Sequence, residues 1–192
     1  QVERIRRIDG VLYLATRQGL RKLVPGAAPG MPARFVDTVI RRDSSWDLLA
    51  TPHGTLAGTG SGLKLLPAGA EGSALDLIPG RRVSSLTQAD DGWIYAIAGR
   101  EVRRLRWDGR GFAVDPQAVT LVPMFDGRWH AGALWVSLDG GGAWRLGDLD
   151  RWPQLSTRAY GDEPERRHFR VGFASDERGL LLLSDGKPWR VD

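Results

Sequence analysis

Arginines recur along this chain at intervals of about 40 residues, as Arg41-Arg42, Arg81-Arg82, Arg128 and Arg166-Arg167. A guanidinium is a planar fork of donors that matches a carboxylate or phosphate bidentately, so arginines converging from several segments would hold an anion. Arg17, Arg100, Asp139 and Asp185 fall in further turn-like stretches and would join the same rim if the chain brought those turns together. All but three of the 27 cationic side chains are arginine, the lysines being Lys22, Lys64 and Lys187. The net charge of only +4 argues against a nucleic-acid partner. The basic run from Arg103 to Trp107 alternates like a strand rather than forming a patch.

Other chemistry is thinly represented. His53, His130 and His168 have no metal-ligand spacing, and the chain has no cysteine, which excludes disulfides, thiolate metal sites and a cysteine nucleophile. No nucleophile elbow, phosphate loop or paired-acid motif occurs, so the sequence predicts neither an enzyme nor a cofactor. Of the eight tryptophans, Trp129 and Trp152 stand beside expected loops, where an indole can stack on a sugar or anchor a partner protein; the rest sit at repeat-equivalent strand positions and read as packing.

The elements that would position these residues come from a phrase repeated five times: a glycine, a short apolar run, a small or polar break, then a second apolar run. The copies open at Gly10, Gly54, Gly92, Gly132 and Gly179, a mean spacing of about 42 residues. A period of that length signals stacked supersecondary units. Within each copy apolar and aromatic residues alternate, as in Gly92-Trp-Ile-Tyr-Ala-Ile-Ala, and Asp9-Gly10 and Asp91-Gly92 are hairpin signals. A further apolar stretch precedes each phrase (Val2 to Ile8, Trp46 to Ala50, Val83 to Thr87, Phe125 to Trp129, Phe169 to Ala174). A less regular one follows the first four (Phe35 to Val39, Ala74 to Ile78, Ala118 to Val122, Leu155 to Tyr160).

Four strands per unit predict an all-β, β-propeller domain over residues 1–192, with about five blades near 1–40, 41–80, 81–123, 124–162 and 163–192. The last copy ends after its third strand. Two readings remain open: five blades that close with a three-stranded one, or a contiguous part of a larger propeller. Unprotected edge strands would favour closure. In a propeller the arginine-bearing loops enter the inner strands on one face, which turns the scattered cations into a ring of candidate ligand contacts that includes Trp129.

Gly132-Ala-Leu-Trp-Val-Ser-Leu-Asp-Gly-Gly-Gly-Ala-Trp-Arg-Leu and the stretch from Gly80 to Ala98 resemble the two-component regulator propeller repeat, with weaker copies along the rest of the chain. The resemblance implies an extracytoplasmic (periplasmic or secreted) ligand-sensing or protein-interaction module of a bacterial signal-transduction protein, whose membrane span and output domain would lie elsewhere. The segment from Ser137 to Trp144 also satisfies the Asp-box of sialidase-like propellers, a structural turn that fixes fold rather than activity. The start at Gln1, with no charged-then-apolar leader, reads as a processed chain or an excised segment, and no run approaches the length of a membrane span. The expected ligand is a small anion such as an acidic oligosaccharide. The alternatives are a lyase or glycoside hydrolase acting on acidic sugars, and an interaction domain that docks another protein.

Overall fold

Period-two alternation does produce strands, and the computed structural model describes residues 1–68, 72–139, 142–160, 172–176, 179–184 and 187–191. Contacts divide the chain into two compact units, Gln1–Ser84 and Ser85–Asp192. The first holds two antiparallel meanders, β1 (Val2–Ile8), β2 (Val11–Thr16), β3 (Gly19–Val24), β4 (Arg34–Arg41), then β5 (Ser45–Thr51), β6 (Gly54–Thr59), β7 (Gly62–Pro67), β8 (Leu75–Pro79). Their first strands, β1 and β5, lie side by side. Ile8, Leu20, Ile40, Leu48 and Ala57 form the buried cluster between the two sheets.

Each recurring sequence feature has a local physical cause. Asp9 (φ 48°) and Gly10 (φ 79°) both take the left-handed region, the geometry of a two-residue hairpin whose twist matches its strands. Thr16 Oγ1 and Thr59 Oγ1 donate to the carbonyls of Gly19 and Gly62, at 2.7 and 2.9 Å, closing the turn between second and third strands. Gly19 and Gly62 open their third strands at φ 133° and 150°, and a Cβ at either would strike the carbonyl oxygen of Ile40 or Ile78 on the outer strand. The Gly-Leu of the repeat therefore marks close approach of the fourth strand.

The second unit holds β9 (Ser85–Gln88), β10 (Ile94–Ala98), β11 (Glu101–Trp107), β12 (Phe112–Val114) and β13 (Val119–Thr120) in one sheet. A second sheet is β14 (Met124–His130), β15 (Ala133–Leu138), β16 (Ala143–Gly147) and β17 (Ser156–Tyr160), with a 3-10 turn at Leu149–Arg151. A third is β18 (Gly172–Asp176), β19 (Gly179–Ser184) and β20 (Lys187–Val191). β9 lies beside β14, and Tyr95, Ile97, Val102, Met124, Leu134, Val136 and Leu146 are buried between their sheets. Trp135, Ala143, Phe173 and Leu180 form a further cluster.

One expected strand is corrected. The outer edge of the β9–β13 sheet is two short strands, β12 and β13, both paired with β11, rather than one strand from Ala118 to Val122. Pro116 has no N–H for the ladder, and Asp115 Oδ1 accepts the Gln117 N–H at 2.9 Å, so the chain leaves the sheet between them. No described helix is long and apolar enough to cross a membrane.

Candidate functional site

Equivalent strand positions anchor both sheet pairs in the same way. Arg4 pairs with Ala15 and Asp47 with Gly58, each just after a β-bulge in a first strand; Ser85 pairs with Ile97, and Asp126, after a like bulge, with Ser137. In the first unit Arg4 Nε lies 3.2 Å, and Arg6 Nη2 3.5 Å, from Oδ1 of the fully buried Asp47, whose oxygen also accepts the Leu48 N–H at 2.9 Å. In the second unit Ser85 Oγ donates to Asp126 Oδ1 at 2.6 Å, and that same oxygen accepts the Gly127 N–H at 2.9 Å. Ser137 Oγ accepts the Asp126 N–H at 3.0 Å. An ion pair in one unit and a neutral hydroxyl in the other thus tie the same register position of one sheet to the same position of the next. Burial strengthens such links and makes their loss costly.

With the register fixed, the two inter-sheet spaces can be compared side chain by side chain. Tyr13 lies opposite Arg6 and Lys22, and Tyr95 opposite Thr87 and Arg104; each tyrosine follows a turn aspartate, Asp9 or Asp91, by four residues. Three residues beyond Asp126, Trp129 lies opposite Leu134; three beyond Asp47, Ala50 lies opposite Thr55. In the second unit the Trp129 indole stacks on the Tyr95 ring, with centroids 5.9 Å apart and planes 4° from parallel. Trp129 Nε1 is fixed by Asp90 Oδ2 at 3.0 Å. Trp152 meets Tyr95 from another direction, at 6.0 Å. The Arg104 guanidinium lies 4.2 Å from the Trp93 ring centre and 4.7 Å from that of Trp152, and donates to Asp115 Oδ2 at 2.9 Å and to the Leu149 carbonyl at 3.3 Å. Aromatic rings and a paired guanidinium fill that space.

The first unit has no such plug. Between its sheets lies a cavity of about 860 Å³, within the range of roughly 300–1,000 Å³ typical of ligand sites. Ile8 and Leu66 give it an apolar surface, Tyr13, Thr38 and Thr55 offer hydroxyls, and Lys22, Arg41, Asp9 and Asp37 are its charged groups. Among the described residues Tyr13 stacks on no other ring and Lys22, which is half-buried, makes no ion pair. Asp37 is engaged by Arg21 Nε at 2.9 Å. Arg41 Nε donates to the Thr38 carbonyl at 3.1 Å, turning the guanidinium back along β4 to join the wall. Burial, with a smaller contribution from the Asp9 carboxylate, raises the Tyr13 pKa above its ordinary value, so the phenol stays a protonated donor at neutral pH. Burial does the same to Tyr95, pushed up to about 12 with help from Asp91 and partly offset by Arg104.

The arginine ring read from the sequence divides among several environments. Arg41 reaches the cavity, whereas Arg42 is exposed at φ 59° and its N–H donates to the Gln18 carbonyl at 2.9 Å. Arg81 is exposed, and the Arg82 guanidinium covers Trp46 at 4.8 Å. Arg17 pairs with Glu3 at 3.0 Å, and Arg100 Nε donates to the Leu121 carbonyl at 3.4 Å. Arg128 is corrected: it lies within β14, next to Trp129 and near the strand's end, not in the connection before the strand. Asp139 is exposed, its N–H bonded to the Pro123 carbonyl at 2.9 Å, at the opposite end of that sheet from Arg128. Arg166, Arg167 and Asp185 fall outside the described residues.

Trp129 and Trp152 come together, but around Tyr95 and Arg104. Among the described residues no group of three or more His, Asp or Glu is placed to hold a metal. Sequence reading missed Tyr13, Lys22 and Ala50. The signal available was the phase of Tyr13 and Tyr95, each four residues beyond an aspartate, and the absence from β5 of a counterpart to Trp129.

No family model matches the sequence, and no curated protein matches it. Solved structures do. The chain is similar to the Pan2 WD40 domain of Neurospora crassa at TM-score 0.63 and 8% identity, covering 98% of this chain and 64% of that one. It is similar to a luciferin-regenerating enzyme at TM-score 0.62 and 16% identity, covering 95% and 70%. It is also similar to the PQQ-bound aldose sugar dehydrogenase of Streptomyces coelicolor at TM-score 0.55 and 16% identity, covering 91% and 69%. The chain spans less than two thirds of the Pan2 domain's length. These neighbours are β-propeller proteins, enzymes and interaction modules alike, and what this chain shares with them is a propeller-like all-β fold.

Proposed function

We propose that this chain is a ligand-binding module of a five-bladed propeller, non-catalytic, that takes a small anion in the cavity between its first two sheets. The observation that carries this is the charge arrangement of the wall. Lys22 and Arg41 both line the cavity, Lys22 makes no ion pair among the described residues, and one of the two lining carboxylates, Asp37, is already neutralised by Arg21. A protonated Tyr13 and the hydroxyls of Thr38 and Thr55 supply neutral donors, the mixture of apolar wall and few polar groups that fixes a small molecule's orientation. The resemblance to two-component regulator repeats supports a sensing role outside the cytoplasm, in a longer signalling protein whose output lies beyond this chain. An enzyme on the same scaffold is the second reading, favoured by Tyr13, Lys22 and Asp9 meeting in one cavity.

Thermal melting with glucuronate or an oligogalacturonate separates these readings. At a hundredfold excess over Kd, binding adds about 2.7 kcal/mol, a rise of roughly 5–10 °C for a chain of this size. The rise should vanish in the double variant Lys22→Met with Arg41→Ala. Turnover of the sugar would move the assignment to the enzyme, and no stabilisation by any acid would leave only the interaction domain.

A further inference from the structure

From the internal repeat we infer that the cavity takes a planar aromatic carboxylate, its ring stacked on Tyr13 and its carboxylate held by Lys22. This rests on the preceding reading of the cavity as an anion site, and it specifies the ligand's shape.

The second unit displays what fits this space. There the position opposite the tyrosine is filled by the protein's own indole, Trp129, lying flat on Tyr95 with 4° between the planes. The cation paired with the tyrosine across the strands, Arg104, is satisfied by Asp115. The first unit keeps the tyrosine as Tyr13 and the cation as Lys22 but has Ala50 where the indole would stem from. Both members of the recognition pair are thus present and both lack their intramolecular partner: Tyr13 has no stacked ring and Lys22 no carboxylate among the described residues. A ligand that restores both must carry a flat ring and an anionic group. Parallel stacking demands a planar face, and the Lys22 ammonium demands the charge. Ala50 is exposed, so entry is not blocked from that strand.

Calorimetric titration with indole-3-carboxylate, its neutral relative indole-3-carboxamide, and glucuronate tests this on the whole chain. Indole-3-carboxylate should bind with a Kd about tenfold or more below that of either other probe. Ala50→Trp should abolish its binding by supplying the missing ring from within. Lys22→Met should weaken the carboxylate about tenfold and leave the carboxamide unchanged. Circular dichroism confirms that each variant is folded, and Lys22→Met, a half-buried change, keeps the test open if Ala50→Trp is not. Glucuronate binding with Lys22 dependence, and no preference for the planar acid, would overturn the stacked-ring inference and leave the anion site standing. Binding of no probe would overturn both. Binding of indole-3-carboxylate unchanged by Ala50→Trp in a folded variant would overturn the placement on Tyr13.

Discussion

The spaces between the first and second sheets and between the third and fourth are built on one register and finished differently. In both, a polar residue at one position of a first strand grips an aspartate at the same position of the next, Arg4 on Asp47 and Ser85 on Asp126. In both, a tyrosine with a cation opposite it faces the gap. One gap is then filled by Trp129, Trp152 and a guanidinium held by Asp115; the other is left as a cavity of about 860 Å³. Part of the difference lies in one side chain of the first strand, indole in β14 and methyl in β5, and part in Trp152 and the guanidinium of Arg104. Where the indole is present the repeat carries packing; where it is absent the same framework leaves an open cavity.

Breaking the anchors should have the largest effect, and an unequal one. Asp126→Ala removes the closer acceptor of both Ser85 Oγ and the Gly127 N–H, all of them buried, leaves each only a 3.2 Å contact within the Ser85–Gly127 pair, and should destabilise by roughly 3 kcal/mol. Asp47→Ala should cost less, about 1–2 kcal/mol, because the Arg4 and Arg6 side chains are 26% and 38% exposed and water can rehydrate them. Urea unfolding of the two variants measures the contrast; an equal or reversed order would show that the two anchors are not energetically distinct in this way.

Trp129→Ala should convert the filled space towards the open one, at a cost of about 2–3 kcal/mol for a half-buried indole that loses its stack on Tyr95. Rescue of that loss by millimolar indole would show that the slot is shaped for a flat ring.

Alkaline pH sharpens the comparison through the two tyrosines. The folded-state pKa of Tyr95 is about 12, against about 10 for an unfolded phenol. The folded state therefore holds this proton more tightly. The associated stability is fully present below pH 10 and is lost as the pH rises from 10 towards 12, a loss of roughly 2–3 kcal/mol. Tyr13 shifts in the same direction, and a spectroscopic titration should find it ionising before Tyr95.

Lys22→Met should change least in stability, within about 0.5 kcal/mol, since it breaks no ion pair among the described residues. Arg104→Met, its counterpart, should cost about 2 kcal/mol, because that guanidinium serves Asp115, Leu149, Trp93 and Trp152 together.

The meanders were legible in the sequence because their determinants are local. The left-handed Asp9-Gly10 hairpin, the Thr-x-x-Gly turns and the period-two alternation each act within a few residues. The broken outer edge was legible only in part, since Pro116 announces a departure from the ladder but not where pairing resumes. The site was largely hidden. Arg17, Arg82 and Arg100 stand in turn-like stretches of similar composition, yet Glu3, the Trp46 ring and the Leu121 carbonyl engage them, partners set by tertiary packing. Arg128 falls within the apolar stretch Phe125 to Trp129 that forms β14, so only its spacing grouped it with the loop arginines. Conversely Lys22 reads in the sequence only as one of three lysines, on a strand and outside the arginine pattern. Its significance comes from what faces it across the sheet and what Ala50 fails to supply.

Backbone amide NMR shifts of the whole chain titrated with indole-3-carboxylate test the open cavity most directly. Perturbations should centre on Tyr13, Lys22 and Thr55, with Tyr95, Arg104 and Leu134 unmoved because Trp129 already occupies their space. Perturbations centred on Tyr95 and Arg104, or none at saturating ligand, would show that the cavity at Tyr13 is not the ligand's place.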